Sequence, residues 1–407
     1  MVGLFAKITL SMLLALPACG TTRPAATAAP HTLATPPRVA GVTVGAERLD
    51  KYLPQLQGKR VGLVINQTSR VGRAYLVDTL RARGVNVTAI FAPEHGFRGE
   101  EADGATITDG RDARSGVSVR SVYGKTKKPT PEMLADLDVL IFDIQDVGAR
   151  FYTFISTLHY VMEAAAEQGK TVIVLDRPNP NGDLVDGPML EPAHKSFVGL
   201  DPLPIAHGLT VGELAQMING EKWLAGGKKC ALTVVPLATG YTHATAYALP
   251  IAPSPNLPTA HAVALYPSIC LFEGTNVSVG RGTATPFEVI GSPAQPATRP
   301  YTFTPVPNAG SPTPPMKGQA CHGLNLAGAP TRAASGGLVL SYLLDFYQQS
   351  TDKAHFFGKY FEELSGTNSL REQIIAGKTE AEIRASWAPG LTKFKALRKK
   401  YMLYPER

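Results

Sequence analysis

Short, uninterrupted apolar runs rich in Val and Ile recur through the first half of the chain. They are RVGLVIN at 60–66, VNVTAIFA at 85–92, DVLIFDIQ at 138–145 and TVIVLDRP at 171–178. Runs of this length without polar alternation are the pattern of strands buried on both faces, as in a parallel sheet. Between the third and fourth the period changes. In TFISTLHYVMEAAAEQGK, Ile155, Leu158, Met162 and Ala166 share one face and Gly169 ends the pattern, which predicts a crossover helix. A further helix is expected from Thr210 in TVGELAQMI, with Glu213 as the N3 partner of a capping box, and ALTVVPL at 231–237 supplies another strand. Strand–helix alternation predicts an α/β three-layer, Rossmann-like parallel-sheet domain over 43–245.

The texture changes after residue 245. LPIAPSPNLPTAHAVALYPS is dense in proline, CLFEGTNVSVGRGTATPFEVIG is rich in glycine, and a Pro-rich stretch continues to about 315. Helical patterning returns at 337–350, 379–387 and 391–403. A smaller α+β C-terminal domain over 246–407 is the expectation, and 407 residues exceed what one hydrophobic core usually spans.

The N-terminal stretch MVGLFAKITLSMLLALPACG has one Lys, an apolar run too short to span a bilayer comfortably, and a small-residue site. It reads as a signal peptide over 1–18. Leu16-Pro17-Ala18-Cys19 resembles a bacterial lipobox, which makes Cys19 the lipidated first residue of the mature protein, followed by a Thr/Ala/Pro-rich tether over 19–42. An exported lipoprotein is expected, facing the periplasm or the cell surface and held to the membrane by a lipid anchor. Of the other cysteines, Cys230, Cys270 and Cys321, an oxidising compartment allows two to pair. A net charge of +7 suits an acidic substrate or anionic surface, but no Lys/Arg block or aromatic–basic alternation points to nucleic acid.

The first strand is not followed by G-x-G-x-x-G, and G-x-x-x-x-G-K-[ST], G-x-S-x-G, H-E-x-x-H and EF-hand loops do not occur. No dinucleotide, ATP, metal or other cofactor is therefore expected. Ligands of open α/β sheets sit beyond the carboxyl ends of the strands. Those ends carry Asn66 and Gln67; Glu94 and His95; Asp143, Gln145, Asp146 and Arg150; Asp176, Arg177 and Asn179. Some have ordinary structural uses: Asp176 and Asn179 suit turns, and Asp146 and Arg150 are spaced to pair. Glu94, between Pro93 and GFRG, has little structural work to do and is the sharpest candidate. In the second domain FEGTNVSVGRGT places Glu273, Asn276, Ser278, Arg281 and Thr283 in a loop with the features of an anion-binding site.

Six ordered blocks, APEHGFRG, DIQDVGARFYT, LDRPNPNG, HGLTVGELA, SPNLPT and CLFEGTNVSVGRGTATPFE, together with the ending RKKYMLY, carry a family likeness. The chain resembles the bacterial exo-acting β-N-acetylmuramidases, a family long filed as a domain of unknown function. The resemblance implies an active site in the cleft between a Rossmann-like domain and a smaller one. It also implies release of N-acetylmuramic acid from the non-reducing end of peptidoglycan fragments of the MurNAc-GlcNAc type. It puts the family's glutamate on Glu94. Glycoside hydrolysis usually needs an acid and a second group at the anomeric centre. Glu94 with His95 is the acid/base candidate, Asp143, Asp146 and Asp176 are candidates for the second group, and the 2-acetamido group of the sugar offers a substrate-assisted route. Arg150, Arg177 and Arg281 are candidates to bind the lactyl carboxylate, and Tyr123 and Tyr152 to stack on a sugar. Asn66, Gln145, Asn179, Glu273 and Asn276 complete the substrate-binding set. Val279 stands where the likeness leads one to expect an acid. The competing readings are a non-catalytic muropeptide-binding envelope lipoprotein and a metal-dependent hydrolase built on Glu94, His95, Asp143 and Asp176.

Overall fold

A computed structural model of the protein describes residues 41–94, 96–98, 109–238 and 240–407. His95, Cys19, the leader and most of the tether lie outside these residues. The central sheet is built from six parallel strands: β1 (Arg60–Ile65), β2 (Asn86–Ala92), β3 (Ser118–Ser121), β4 (Val139–Asp143), β5 (Thr171–Leu175) and β6 (Ala231–Val235). Their spatial order is β6-β5-β4-β1-β2-β3, and the short antiparallel strand Gly110–Arg111 borders β3 as the seventh. Read from the β3 edge this is the 3-2-1-4-5-6 order of the doubly wound Rossmann-type sheet.

The period-2 geometry of strands divides the apolar residues between two cores. Leu140, Phe142, Val172 and Val174 face one side, where the helices Phe154–Glu167 and Val211–Gly220 pack. Val139, Ile141, Ile173 and Leu175 face the other, against Tyr52 and Leu56 of one helix and Leu76, Val77 and Leu80 of another. The first core does not stop at residue 245. Leu265, Phe272, Phe287, Phe346, Phe361 and Trp387 belong to the same buried cluster. Around them lie a three-stranded antiparallel sheet, in the order Val289–Ser292, Cys321–Asn325, Tyr301–Phe303, and the helices Ala260–Ile269, Ser341–Gln349 and Glu380–Arg398.

Several elements differ from the sequence reading. Strand β3 was not expected, because SVRS lacks an apolar run and every residue of it is half-buried. The antiparallel hairpin Val185–Met189/Pro204–His207 was not expected either. The two predicted C-terminal helices are one, Glu380–Arg398, which runs straight through Pro389. Ile383, Trp387 and Phe394 form its buried stripe and Gly390 lies against Met189 of the hairpin, so tertiary packing sustains a helix that proline alone would interrupt.

The predicted capping box is present: Glu213 N donates to Thr210 Oγ1 at 3.3 Å and Thr210 N to Glu213 Oε2 at 2.9 Å. The same cap ties down the chain's C-terminal tail. Leu403 N donates to Glu213 Oε1 at 2.7 Å, and Tyr404 Oη to Asp176 Oδ2 at 2.6 Å. Asp176 also accepts from Thr210 Oγ1 and Gly212 N. Burial pushes its carboxyl up to about 7 from an ordinary 3.8, with Glu213 adding to the rise and the hydrogen bond from Tyr404 working against it. The folded state therefore holds this proton more tightly than the unfolded chain. The resulting stability is complete below pH 3.8 and is lost progressively as the pH rises to about 7. Asp176→Asn removes this contribution, so the urea midpoint of the wild type should fall more steeply between pH 5 and about pH 7 than that of the variant. Parallel slopes would show that Asp176 titrates normally.

Candidate active site

In a doubly wound sheet the expected ligand crevice lies where the strand order reverses, here between β1 and β4. The chain itself fills that place. Ser69 Oγ donates to the Asp143 carbonyl, Gln145 N to Thr68 Oγ1 at 3.1 Å, and Gln67 Nε2 to the carbonyls of Ala252 and Pro253 at 3.2 and 3.1 Å. A cavity of about 620 Å³ opens instead beyond the carboxyl end of β2. Its walls come from Glu94, Tyr123, the segments 151–154 and 196–198, and a second group of residues beginning at Ser254.

Glu94 reaches this cavity because β2 ends at Ala92 and the chain turns at once. Pro93 accepts from Gly96 N at 3.0 Å, and Gly96 takes a left-handed φ of 74° that favours glycine. Both carboxylate oxygens are held by neutral hydroxyls. Tyr123 Oη donates to Oε1 and Thr153 Oγ1 to Oε2, each at 2.6 Å. Thr153 directly precedes the helix Phe154–Glu167, so the carboxylate sits at the positive end of that helix dipole. Two donors from separate elements fix the orientation of Glu94, and each oxygen keeps capacity for a further partner.

Another wall is built from the 272–283 loop. Arg281 Nε donates to Glu273 Oε1 at 2.5 Å, and the guanidinium lies 5.3 Å from the Phe287 ring centre. Cys270 Sγ donates to Glu273 Oε2 at 3.4 Å. Tyr360 joins the two walls electrostatically: burial raises its phenol pKa, and Cys270, Glu273, Glu363 and Glu94 raise it further. Three carboxylates therefore surround one space. Ser278 and Val279 of the same loop also line it, and Val279 is 3% exposed with its carbonyl accepting from Phe287 N at 2.7 Å.

Sequence comparison places this architecture. The N-terminal domain profile of the exo-β-N-acetylmuramidase NamZ matches residues 61–261, and the C-terminal profile matches 264–404. The chain belongs to the NamZ family. It is 40% identical over 382 residues to the peptidoglycan β-N-acetylmuramidase NamZ of Bacillus subtilis (strain 168), covering 88% of this chain and 89% of that one. Two solved structures of DUF1343 family proteins from Bacteroides fragilis NCTC 9343 share the fold. One has a TM-score of 0.82 at 44% identity, over 90% of this chain and 99% of that one. The other has 0.77 at 31%, over 90% and 100%.

In this NamZ-family chain the structure brings Glu94, Tyr123, Tyr152, Glu273, Ser278 and Arg281 to the cavity. Of the other predicted residues, those that the structure describes are not brought there, and each has a structural engagement instead; His95 lies outside the described residues. Asp143 forms a buried bidentate pair with Arg177, at 2.6 and 2.9 Å. Burial alone would lower the Arg177 pKa, but Asp143 outweighs it and holds the guanidinium above its ordinary value. Asp146 accepts from Gly148 N at 2.8 Å, and Gln145 donates to the carbonyls of Asp146 and Pro178. Asn66 Oδ1 accepts from Thr68, and Asn179 donates to the Leu209 carbonyl. Asp176 is the anchor for the tail described above. Arg150 is fully buried, and its guanidinium donates to the carbonyls of Pro188, Leu203, Leu364 and Ser365. Asn276 braces the loop through its backbone, donating to the Phe356 carbonyl and accepting from Ser292 Oγ. The strand-end carboxylates thus do not converge with Glu94, and among the described residues no three His, Cys, Asp or Glu groups are placed to hold a metal ion. Cys230, Cys270 and Cys321 are each buried and free.

Thr153, Glu363, Tyr360 and Phe197 belong to the cavity wall but escaped the sequence reading. Thr153 stood inside a quoted block, DIQDVGARFYT, and could have been singled out. Glu363, on the helix Tyr360–Ser365, carries no sequence signal.

Proposed function

We propose that this chain is a glycoside hydrolase that releases N-acetylmuramic acid from the non-reducing end of peptidoglycan fragments, with Glu94 as the acid that protonates the leaving oxygen. The observation that carries this reading is the Glu94 carboxylate at the cavity wall, oriented by Tyr123 and Thr153, in a chain of the NamZ family. Arg281, steadied by Glu273, supplies the donor for the lactyl carboxylate that distinguishes muramic acid from N-acetylglucosamine. With Asp143, Asp146 and Asp176 engaged elsewhere, Glu273, Glu363 and the substrate's own 2-acetamido group are the groups left to support the anomeric centre.

The test uses the chain lacking residues 1–18 and a chromogenic β-muramic acid glycoside, with and without EDTA. Chromophore release indifferent to EDTA is expected. Binding without release would leave a muropeptide-binding protein, and loss of release in EDTA would favour a metal-dependent hydrolase. Arg281→Ala should raise KM by roughly 10- to 100-fold, the worth of a hydrogen bond to a charged group. An unchanged KM would remove Arg281 from the lactyl site.

Export and lipid attachment at Cys19 are further proposals, supported by the leader pattern and the Thr/Ala/Pro tether. Among the described residues no helix is long and apolar enough to cross a membrane. Palmitate labelling that survives in Cys19→Ala would rule out attachment at this residue.

A further inference from the structure

The cavity has a third wall to which the reaction above gives no role. Tyr123, whose hydroxyl donates to Glu94, has its ring centre 6.1 Å from that of Phe197. Phe197 in turn lies nearly parallel to Tyr160, at 6.2 Å and 8°. The Lys127 ammonium stands 4.6 Å from the Phe197 ring centre, and both residues line the cavity. Tyr160 follows Thr153 by two turns of the same helix, so this aromatic wall lies about 10 Å along the helix from the Glu94 contact.

The charges of this wall leave a surplus of cations. Lys128 is paired with Glu163 and Glu167, at 2.8 Å each. Asp201 is paired with His159 at 2.9 Å. Burial works against the His159 cation, but Asp201 and Glu163 outweigh it and hold the imidazole pKa above its ordinary value. Lys195, beside Ser196 of the wall, is close enough to His159 to oppose that rise. Lys127 is exposed, and among the described residues no carboxylate pairs with it. An exposed ammonium over an aromatic face is weakly held and exchanges readily for a charged acceptor.

Two cations thus serve one cavity from separate walls, Arg281 with Glu273 and Lys127 over Phe197, with Glu94 bonded to a neighbour of the second. A ligand matching both carries anionic groups on either side of the bond that Glu94 protonates. In an alternating MurNAc-GlcNAc chain the first carboxylate is the lactyl group of the terminal sugar. The next belongs to the second sugar of the leaving group.

We propose that the Lys127–Phe197 wall is a leaving-group subsite, in which Phe197 bears against a sugar ring and Lys127 binds the carboxylate of a muramic acid residue two positions past the scissile bond. The preferred substrate class is then an acidic glycan longer than a disaccharide. This inference rests on the glycosidase reading above.

The experiment measures N-acetylmuramic acid release from the disaccharide MurNAc-GlcNAc and from the tetrasaccharide (MurNAc-GlcNAc)2. The wild type should favour the tetrasaccharide about tenfold in kcat/KM at low salt, and the advantage should shrink as salt screens it. Lys127→Glu should lower kcat/KM for the tetrasaccharide about tenfold more than for the disaccharide, chiefly through KM, and Lys127→Arg should retain the preference. Phe197→Ala should raise KM for both substrates. A wild type indifferent to chain length, or a Lys127→Glu variant that weakens both substrates equally, would overturn the subsite. Release from neither substrate by the wild type would instead sink the glycosidase reading on which it stands.

Discussion

Glu94→Gln is expected to lower kcat by roughly 10²- to 10⁴-fold, the contribution of a positioned general acid, while KM stays near the wild-type value. Glutamine has the shape of glutamate but no proton to give at the leaving oxygen. Thr153 and Tyr123 anchor the side chain at 2.6 Å on each oxygen. The amide oxygen can still accept from one hydroxyl while the other turns to accept from the amide nitrogen, since a hydroxyl both donates and accepts. The variant should therefore unfold at the wild-type temperature, and loss of activity cannot be attributed to loss of structure. The measurement is release of N-acetylmuramic acid at saturating substrate, together with thermal unfolding. A variant that keeps more than about a tenth of the wild-type kcat would remove Glu94 from the role of acid.

The second large effect concerns stability. Arg150→Lys should cost about 3–5 kcal/mol, with KM unchanged in the fraction that folds. The Arg150 guanidinium reaches four carbonyls on three separate segments: the hairpin strand at Pro188, the hairpin strand side at Leu203, and the end of the helix Tyr360–Ser365. A lysine ammonium has three donors on a point charge and cannot span that fork, so buried carbonyls lose their partner. Burial without a carboxylate already pulls the Arg150 pKa down to about 9. The packing leaves no slack: Gly366 has a φ of 75°, and a Cβ there would lie 2.5 Å from Arg150 Nη2. Urea unfolding of the variant checks the cost. A variant of wild-type stability with a raised KM would return Arg150 to the lactyl site.

The structure places Glu94 at the cavity and Arg150 in the interior, although both stand at strand ends in the sequence. Glu94 was legible because a carboxylate at a strand exit, between proline and glycine, has little local work to do. Arg150 and Arg177 looked the same in one dimension as Arg281, a guanidinium near a strand end or in a glycine-rich loop. What separates them is the depth of the surroundings. Arg177 meets Asp143 in the interior, and Arg150 meets carbonyls from residues as distant in sequence as Ser365. Arg281 stops at the cavity wall beside Glu273. Asp176 misled for the same reason, because its partner Tyr404 lies 228 residues away.

By itself the sequence determined the parallel strands β1, β2, β4, β5 and β6, the helices Phe154–Glu167 and Val211–Gly220, the Thr210–Glu213 cap and the place of Glu94 at the exit of β2. All of these follow from interactions within a few residues, apolar runs, helical spacing and turn chemistry, which the linear order records directly. Only the tertiary structure decided that half-buried SVRS becomes the strand β3, that the helix Glu380–Arg398 continues through Pro389, and that the 66–69 and 252–253 segments fill the crevice at the strand-order reversal. Only it moved the cavity to the end of β2 and set Thr153, Phe197 and Lys127 around it. The physical reason is that each of these outcomes depends on which distant surface arrives to bury a group or leave it open. No periodicity along the chain carries that information.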